Sequence, residues 1–367
     1  MNTALAVSLL LGGCLLGLAL WTGGRRRRAP RLPPPAAALY DVTVLLPVRD
    51  EEDNARPCVE SLLEQTAEPL VRVVDDGSTD ATAEIVTRLA KTEPHLTLVE
   101  AGPLAPGWRG KLHALWIGSR DVDTPWLLLT DADTRHHPEA LARARAAAEA
   151  GRLDAVSLAG LQEAHGFGEN LLVPAVFALL DAILGSWEAA ASGAGPAVAN
   201  GQFILLRREA WERAGGFPSV RDAPLDDVAI ARRLRETGGR TAFFRAPDLL
   251  RVRMYRGAGE AVRGWRRNLG GLFGGQTATV AWALAVLLAP PLVLGAELLT
   301  GHVWEAVLLW AAGAAASALL RSGSGHAPAW GLLFPCDALF LAAVLALSEN
   351  DRRRGRLVSW KGREMKV

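Results

Sequence analysis

Pro125-Trp-Leu-Leu-Leu-Thr-Asp-Ala-Asp133 decides how the chain reads, because an apolar run ends abruptly in two carboxylates one residue apart. Residues two apart in a strand point to the same side, so Asp131 and Asp133 project together from the carboxyl end of a buried strand. A pair of hard oxygen donors suits Mg2+ or Mn2+, which binds through one or two carboxylates plus the phosphates of a substrate. That combination points to a nucleoside diphosphate. Asp-x-Asp also occurs in ordinary solvated turns, so the flanking chain has to decide.

Upstream, Val42 to Pro47 reads as a buried strand, residues 48–52 as a polar loop and residues 54–65 as a helix. Val71 to Asp76 is a second strand, followed by the turn Asp75-Asp76-Gly77-Ser78-Thr79-Asp80 and a helix through Leu89. Strand, polar turn and helix repeated in this way predict βαβ units on a parallel sheet. Ligands of such sheets bind at the carboxyl ends of the strands, and the loops at 49–52, 75–80 and 131–133 all fall on that edge. Residues 107–115 form a glycine-spaced loop entering a helix. Its Arg109 and Lys111 are candidate phosphate ligands, or else an ordinary solvated helix start. Downstream, residues 139–150 read as helix, 153–160 and 200–208 as strands. Asp226 and Asp227 open an amphipathic helix, either as capping charges or as a base that takes a proton from an attacking hydroxyl.

Lysine and arginine total 40 against 39 aspartate and glutamate, so the charge balance gives no sign of a nucleic-acid partner. Half of the residues are hydrophobic, and they gather at the two ends. Residues 4–21 are uncharged and approach the roughly 20 residues of a spanning helix; no positive region precedes them, as a secretory signal requires. Arg25 to Arg28 and Arg31 follow, which by the positive-inside rule puts the next domain on the cytoplasmic side. Thr277–Leu299, Val303–Leu320 and Ala327–Leu347 are further apolar candidates. Three full crossings there would leave the basic stretch 351–356 outside, so one segment is expected to be re-entrant or interfacial, the Pro290-Pro291 break marking the first. Residues 170–187 form an apolar stretch carrying Pro174 and Asp181: a helix on the membrane surface, the lining of an acceptor cleft, or a plain core helix. Cys14, Cys58 and Cys336 have neither disulfide nor metal spacing, and His136 and His137 read as loop residues. The expected organisation is an anchor at 1–24, a basic, proline-rich linker at 25–40, a cytoplasmic domain at 41–268, membrane segments at 269–349 and a basic tail at 350–367.

The words "LLPVRDEE" (45–52), "VVDDGSTD" (73–80), "GWRGKLHA" (107–114), "LLLTDADT" (127–134), "NGQFILLRREAWERAGGF" (200–217), "DDVAIA" (226–231), "RMYRGAGEAVRGWRRN" (253–268) and "VSWKGRE" (358–364) resemble the family 2 inverting glycosyltransferases. The likeness is strongest to the membrane-bound branch that glycosylates carotenoid acids. The resemblance implies an α/β fold of the A-type, nucleotide-diphospho-sugar transferase kind, with transmembrane helices at both ends. It implies transfer of a sugar, glucose first, from a UDP-sugar to a lipid-soluble acceptor, a carotenoid or carotenoid acid, in the plasma membrane. A hopanoid, sphingolipid or diacylglycerol acceptor keeps the same chemistry; a polysaccharide synthase and a non-catalytic scaffold are the other readings weighed. On these residues the resemblance puts uridine contacts at Pro47, Arg49, Glu51, Asp75 and Asp76, the ribose at Asp131, and the metal at Asp133 beside Asp131. Lys111 would support the diphosphate, Asp227 would be the base with Asp226 beside it, and Trp265 would flank the acceptor. Arg263 or Arg267 would neutralise the departing diphosphate. The sequence departs from the wider family in reading Gly264-Trp265-Arg266-Arg267-Asn268 for the usual Gln-x-x-Arg-Trp word, and Asp226-Asp227 for the common Glu-Asp pair.

Overall fold

The computed structural model describes residues 3–35, 41–184, 186–272, 276–360 and 363–366. The end of the expected linker, 36–40, and Lys361 and Gly362 of the tail word lie outside them. In chain order the elements are α1 (Thr3–Arg28), β1 (Val42–Val48), α2 (Glu52–Leu63), β2 (Leu70–Asp75), α3 (Thr82–Ala90), β3 (Leu96–Glu100), α4 (Gly110–Gly118), β4 (Trp126–Leu129), β5 (Thr134–His136), α5 (Ala140–Gly151), β6 (Ala155–Ala159), β7 (Leu161–Gln162), α6 (Phe167–Leu184), α7 (Trp187–Ser192), β8 (Ile204–Arg207), α8 (Arg208–Arg213), α9 (Asp226–Glu236), β9 (Thr241–Arg245), β10 (Leu250–Val252), α10 (Ala258–Leu272), α11 (Thr277–Leu299), α12 (Val303–Gly323), α13 (Cys336–Arg353), β11 (Leu357–Trp360) and β12 (Arg363–Lys366). They form two compact units, a sheet unit of residues 29–161 and 186–253 and a helical unit of residues 1–28, 162–185 and 254–367. The span 41–268 therefore contributes to both: residues 162–185 and 254–268 belong with the apolar helices.

The sheet unit is built on seven strands in the order β3-β2-β1-β4-β8-β6-β9. β3, β2, β1 and β4 are parallel, as the strand, turn and helix repeats predict. Strands covered by helices on both faces bury both sets of side chains, and Val44, Leu45, Leu46, Val73, Val74 and Leu128 are fully buried. β8 departs from the parallel expectation and runs antiparallel to both β4 and β6. No crossover helix returns the chain to the amino edge before it. Leu129 pairs with Ile204, so β8 starts where β4 ends, and residues 200–202 are delivered to the carboxyl edge. α4 lies close on the sheet at Gly118, where an added Cβ would meet Val74 Cγ2 at 2.5 Å and Leu45 Cδ2 at 3.5 Å.

In the helical unit, α1, α11 and α12 are long and apolar enough to cross a membrane. α1 continues through Arg25–Arg28, which form its last turn. α11 passes through Pro290 and Pro291 without interruption, so the expected break is absent; spanning helices accommodate proline because neighbouring groups re-satisfy the freed carbonyls. The irregularity falls instead in the last candidate. Residues 328–333 form a 3-10 turn, and α13 begins at Cys336 and carries Asp337, Glu349 and Asp351. α6 is a core helix of this unit, with Leu172, Val173 and Val176 packed among residues of α10, α11 and α13. Buried charges are paired, as burial demands. Arg321 bonds Ser317 Oγ, Asp337 Oδ2 and the Asn170 carbonyl, and Arg26 meets Asp181. Arg266 meets Asp351.

Gly118→Ala is expected to lower the unfolding free energy by about 1–3 kcal/mol, the scale of overpacking a full core. Gly17→Ala in α1, where no described atom beyond its own helix turn lies within 4 Å of the new Cβ, carries no such cost. Thermal melts of the two purified variants check this.

Candidate active site

β1 carries the chain through Pro47 to the carboxyl edge, where Val48 pairs with Asp75. The two loops that follow are tied together. Arg49 Nη1 donates to the Asp76 carbonyl at 2.5 Å, Asp76 N to the Val48 carbonyl at 2.9 Å, and Thr79 N to the Asp50 carboxylate at 2.7 Å. Asp75 accepts from the Ser78 hydroxyl at 2.5 Å across a turn that Gly77 makes with a φ of 75°, a left-handed conformation natural to glycine. Glu51 accepts from Asn54 Nδ2 at 2.9 Å, and its N–H donates to Thr82 Oγ1 at 2.7 Å.

Lys111, in the first turn of α4, joins two further segments. Its Nζ lies 2.7 Å from Asp131 Oδ1 and 3.0 Å from Asp226 Oδ2. Asp226 and Asp227 are the first two residues of α9, where the helix dipole favours negative charge. Asp227 accepts from Gly201 N at 3.1 Å and from Val228 N at 2.8 Å. A Cβ on Gly201 would lie 2.9 Å from Lys111 Nζ, 3.6 Å from Asp131 Oδ2 and 3.7 Å from Asp226 Oδ2, so only glycine leaves the lysine room. Among the described residues, Asp133 Oδ1 is buried without a hydrogen-bond partner. Among the described residues, no group of three or more His, Cys, Asp or Glu converges as a metal cage. An unpartnered carboxylate oxygen beside a second carboxylate nevertheless fits Mg2+ or Mn2+, which takes one or two protein carboxylates and completes its shell with phosphate and water.

Crowded carboxylates shift one another. Burial, then Asp131 and Glu51, push Asp133 up to about 7. Burial and Asp226, opposed by Lys111, push Asp227 up to about 6. Burial also raises Asp131, against the pull of Lys111. Burial would depress the Lys111 ammonium, but Asp131 and Asp226 hold it above its ordinary value.

Of the residues singled out in the sequence, the sheet unit brings Lys111, Asp131 and Asp226 into direct contact, with Asp227 next to Asp226 at the start of α9. Asp133 and Glu51 interact with them electrostatically, and Pro47, Arg49, Asp75 and Asp76 stand in the adjoining strand ends. Arg109 does not reach toward this group as a free phosphate cation. Its N–H donates to the Arg221 carbonyl at 2.9 Å and its Nε to that of Asp222 at 3.1 Å, tying the start of α4 to the loop before α9. Arg263, Trp265 and Arg267 lie on α10 of the helical unit. There Trp265 is buried edge-on to Phe177 and Tyr255, with an indole N–H that finds no partner among the described residues. Gly201 received no role from the sequence. Its signal was the Asn200-Gly-Gln202 word immediately ahead of a strand, and that word acquires meaning only once the strand is known to be antiparallel.

Asp133 and Asp227 titrate higher in the folded chain, at about 7 and about 6, than the roughly 3.9 of an unfolded aspartate. Their contribution to stability is therefore complete below about pH 4 and is lost as the pH rises through 6 and then 7. In EDTA the melting temperature is expected to fall between about pH 4 and about pH 7, and Asp133→Asn to flatten the upper part of that fall. A melting temperature that climbs across the interval would contradict the assignment.

Comparison with known proteins gives the family and the fold. The glycosyl transferase family 2 signature matches residues 43–180, and that of glycosyl transferase family group 2 matches residues 126–347, more than half of the chain. The chain is 22% identical over 235 residues to a 4,4'-diaponeurosporenoate glycosyltransferase of Staphylococcus haemolyticus, covering 62% of this chain and 60% of that one. It is 24% identical over 344 residues to the enzyme of that name from Staphylococcus aureus, covering 89% and 88%. In fold it is similar to a mannosyltransferase from Pyrobaculum calidifontis in complex with GDP-Man and Mn2+, with a TM-score of 0.55 and 23% identity over 95% of this chain and 98% of that one. The strand-end carboxylates thus stand on the α/β scaffold of a glycosyltransferase, and the chain belongs to glycosyl transferase family 2.

Proposed function

We propose that the enzyme moves a sugar, glucose first among the candidates, from a UDP-sugar to a lipophilic acceptor in the membrane, a carotenoid or carotenoid acid, with inversion at the anomeric carbon. One observation carries this reading: an Asp131/Asp133 pair with an oxygen unpartnered among the described residues, an ammonium and a carboxylate raised to about 6 meet at one sheet edge. The names of the staphylococcal relatives support the acceptor class, and the Mn2+ and GDP-Man of the mannosyltransferase support a cation and a nucleotide sugar.

In this reading Pro47, Arg49, Glu51, Asp75 and Asp76 hold the uridine, and Asp131 faces the ribose. Asp133, with Asp131, would hold Mg2+ or Mn2+, which when bound supplies Lewis-acid charge to the diphosphate. Lys111 donates to the diphosphate oxygens as charge grows on them, a donor held in place beforehand by Asp131 and Asp226. Arg263 or Arg267 adds positive charge as the diphosphate departs. Asp227, ionised above about pH 6, takes the proton of an acceptor hydroxyl while the oxygen attacks the anomeric carbon; Asp226 keeps Lys111 in place. An acceptor carboxylate is already ionised and attacks without that proton transfer. Trp265 flanks the acceptor.

The apolar helices complete the proposal. With α1, α11 and α12 as the three crossings and the amino terminus outside, α12 returns the chain to the cytoplasmic side. The arginines at 25–28 and 352–356 then share that side with the sheet unit, and the turn Thr300-Gly301-His302 outside carries neither lysine nor arginine, in line with the positive-inside rule. α13 is left on the cytoplasmic face, and the parity conflict disappears. This makes the enzyme a multi-pass protein of the cell membrane.

Membranes containing the protein are expected to transfer radiolabelled sugar from UDP-glucose into a lipid extract. Label in a pigment supports the carotenoid acceptor, label in a colourless lipid replaces it, and no transfer from any UDP-sugar removes the reading. EDTA should abolish transfer, and Asp133→Ala should reduce it by about 10²–10³-fold, the scale of losing one charge-stabilising group. Gly201→Ala displaces only the flexible end of Lys111, so it should lower the rate on the order of 10²-fold while the melting temperature stays near that of the parent.

A further inference from the structure

Behind the carboxylates lies a buried polar chain that the mechanism has not used. Thr130 (1% exposed), Thr134 (0%), His136 (5%) and Gln202 (2%) are all enclosed, and the Phe203 ring lies 6.0 Å from that of His136. Their hydrogen bonds can be ordered by counting protons, since a hydroxyl has only one to give. Thr134 Oγ1 donates to the Asp131 carbonyl at 2.6 Å. Thr130 Oγ1 donates to the Gln202 carbonyl at 2.8 Å. His136 Nε2 lies 3.1 Å from Thr130 Oγ1, whose proton is committed, so the imidazole is the donor and carries its hydrogen on Nε2. On its other side, Nδ1 lies at the longer distance of 3.4 Å from Ser61 Oγ, a hydroxyl that also reaches the Cys58 carbonyl and can turn its proton to Nδ1 instead, so the one hydrogen of a neutral ring belongs to the shorter Nε2 contact. Burial, then Arg135, push His136 down to about 3, which keeps the ring neutral.

The chain of donors has a direction: His136 to Thr130, Thr130 to Gln202. Thr130 immediately precedes Asp131, and Gln202 immediately follows Gly201, whose N–H holds the Asp227 carboxylate. The same hydroxyl therefore touches both halves of the site. We propose that Thr130 and His136 are positioning residues that set the spacing between the Asp131/Asp133 pair and Asp227, with His136 acting as a fixed neutral Nε2–H donor. Neither residue touches substrate; each acts through the backbone that carries a carboxylate. A buried donor chain suits this task because breaking one link leaves a polar group unsatisfied, which gives the arrangement a single low-energy register. This inference rests on the proposed donor chemistry, because the spacing matters only if both sets of carboxylates serve one reaction.

Two measurements on the full-length protein test it. The first is the initial rate of UDP release from UDP-glucose, with melting temperature as the folding control. Thr130→Val and His136→Leu are expected to lower kcat by about 10- to 100-fold, the scale of misplacing a reacting group, and to leave the donor KM within about threefold. Thr130→Ser, which restores the hydroxyl, and His136→Gln, which restores a donor near Nε2, should recover most of the loss. Rates of the Val and Leu variants within about twofold of the parent, or a Ser variant as slow as the Val variant, would overturn the proposal. The second is 15N NMR of the histidine-labelled protein at pH 7, with the resonance assigned by its disappearance in His136→Gln. A neutral ring protonated on Nε2 is expected; an Nδ1–H ring or an imidazolium would overturn the donor order. Absence of UDP release from the parent would fall on the donor assignment, whereas the tautomer is read without any turnover.

Discussion

The site depends on one ammonium placed among carboxylates. Asp131, Asp133, Asp226, Asp227 and Glu51 crowd one edge of the sheet, and like charges in a partly dehydrated cleft repel strongly. Lys111 touches Asp131 on one side and Asp226 on the other, so it joins the strand-end pair to the helix-start pair across the cleft. Its reach is possible because Gly201 contributes no side chain, and its helix is anchored by Arg109 to the carbonyls just before α9. The carboxylates that Lys111 does not touch hold their protons more tightly, through burial and their neighbours' charge, as Asp133 and Asp227 show.

Much of this was legible in the sequence because strand ends are marked twice, once by the apolar run and once by the polar residues that stop it. Asp75-Asp76, Asp131-Ala-Asp133 and the Arg49 loop could be assigned to one edge from periodicity alone, since parallel strands share an orientation. The Asp226-Asp227 pair was legible as a helix start. Its partnership with Lys111 was not, because 115 positions of chain separate two groups that only the closed sheet brings within 3.0 Å.

Elsewhere the local signal failed for identifiable reasons. The direction of β8 cannot be read from a stretch of alternating or apolar residues, and with it went the role of Gly201. Pro290-Pro291 suggested a break because proline interrupts helices in water, yet α11 runs through both. The real irregularity lay where Pro328 and the charges of α13 shorten the last apolar stretch. His136 looked like one of two loop histidines; only its burial and its contact with Thr130 separate it from His137, which is exposed.

The interleaving of the two units has a consequence for biosynthesis. Every strand of the seven-stranded sheet has been made by Arg245, before the first residue of α11 is added. α6, by contrast, is made early, and its Leu172, Val173 and Val176 pack with Leu341, Val344 and Leu345, residues added more than 150 positions later. During synthesis the chain thus carries an apolar helix whose final neighbours do not yet exist, looped out of a sheet that is already able to close. For that interval the bilayer next to α1 is the apolar surface at hand, and insertion of the nascent chain there would shelter α6 from aggregation until α13 arrives.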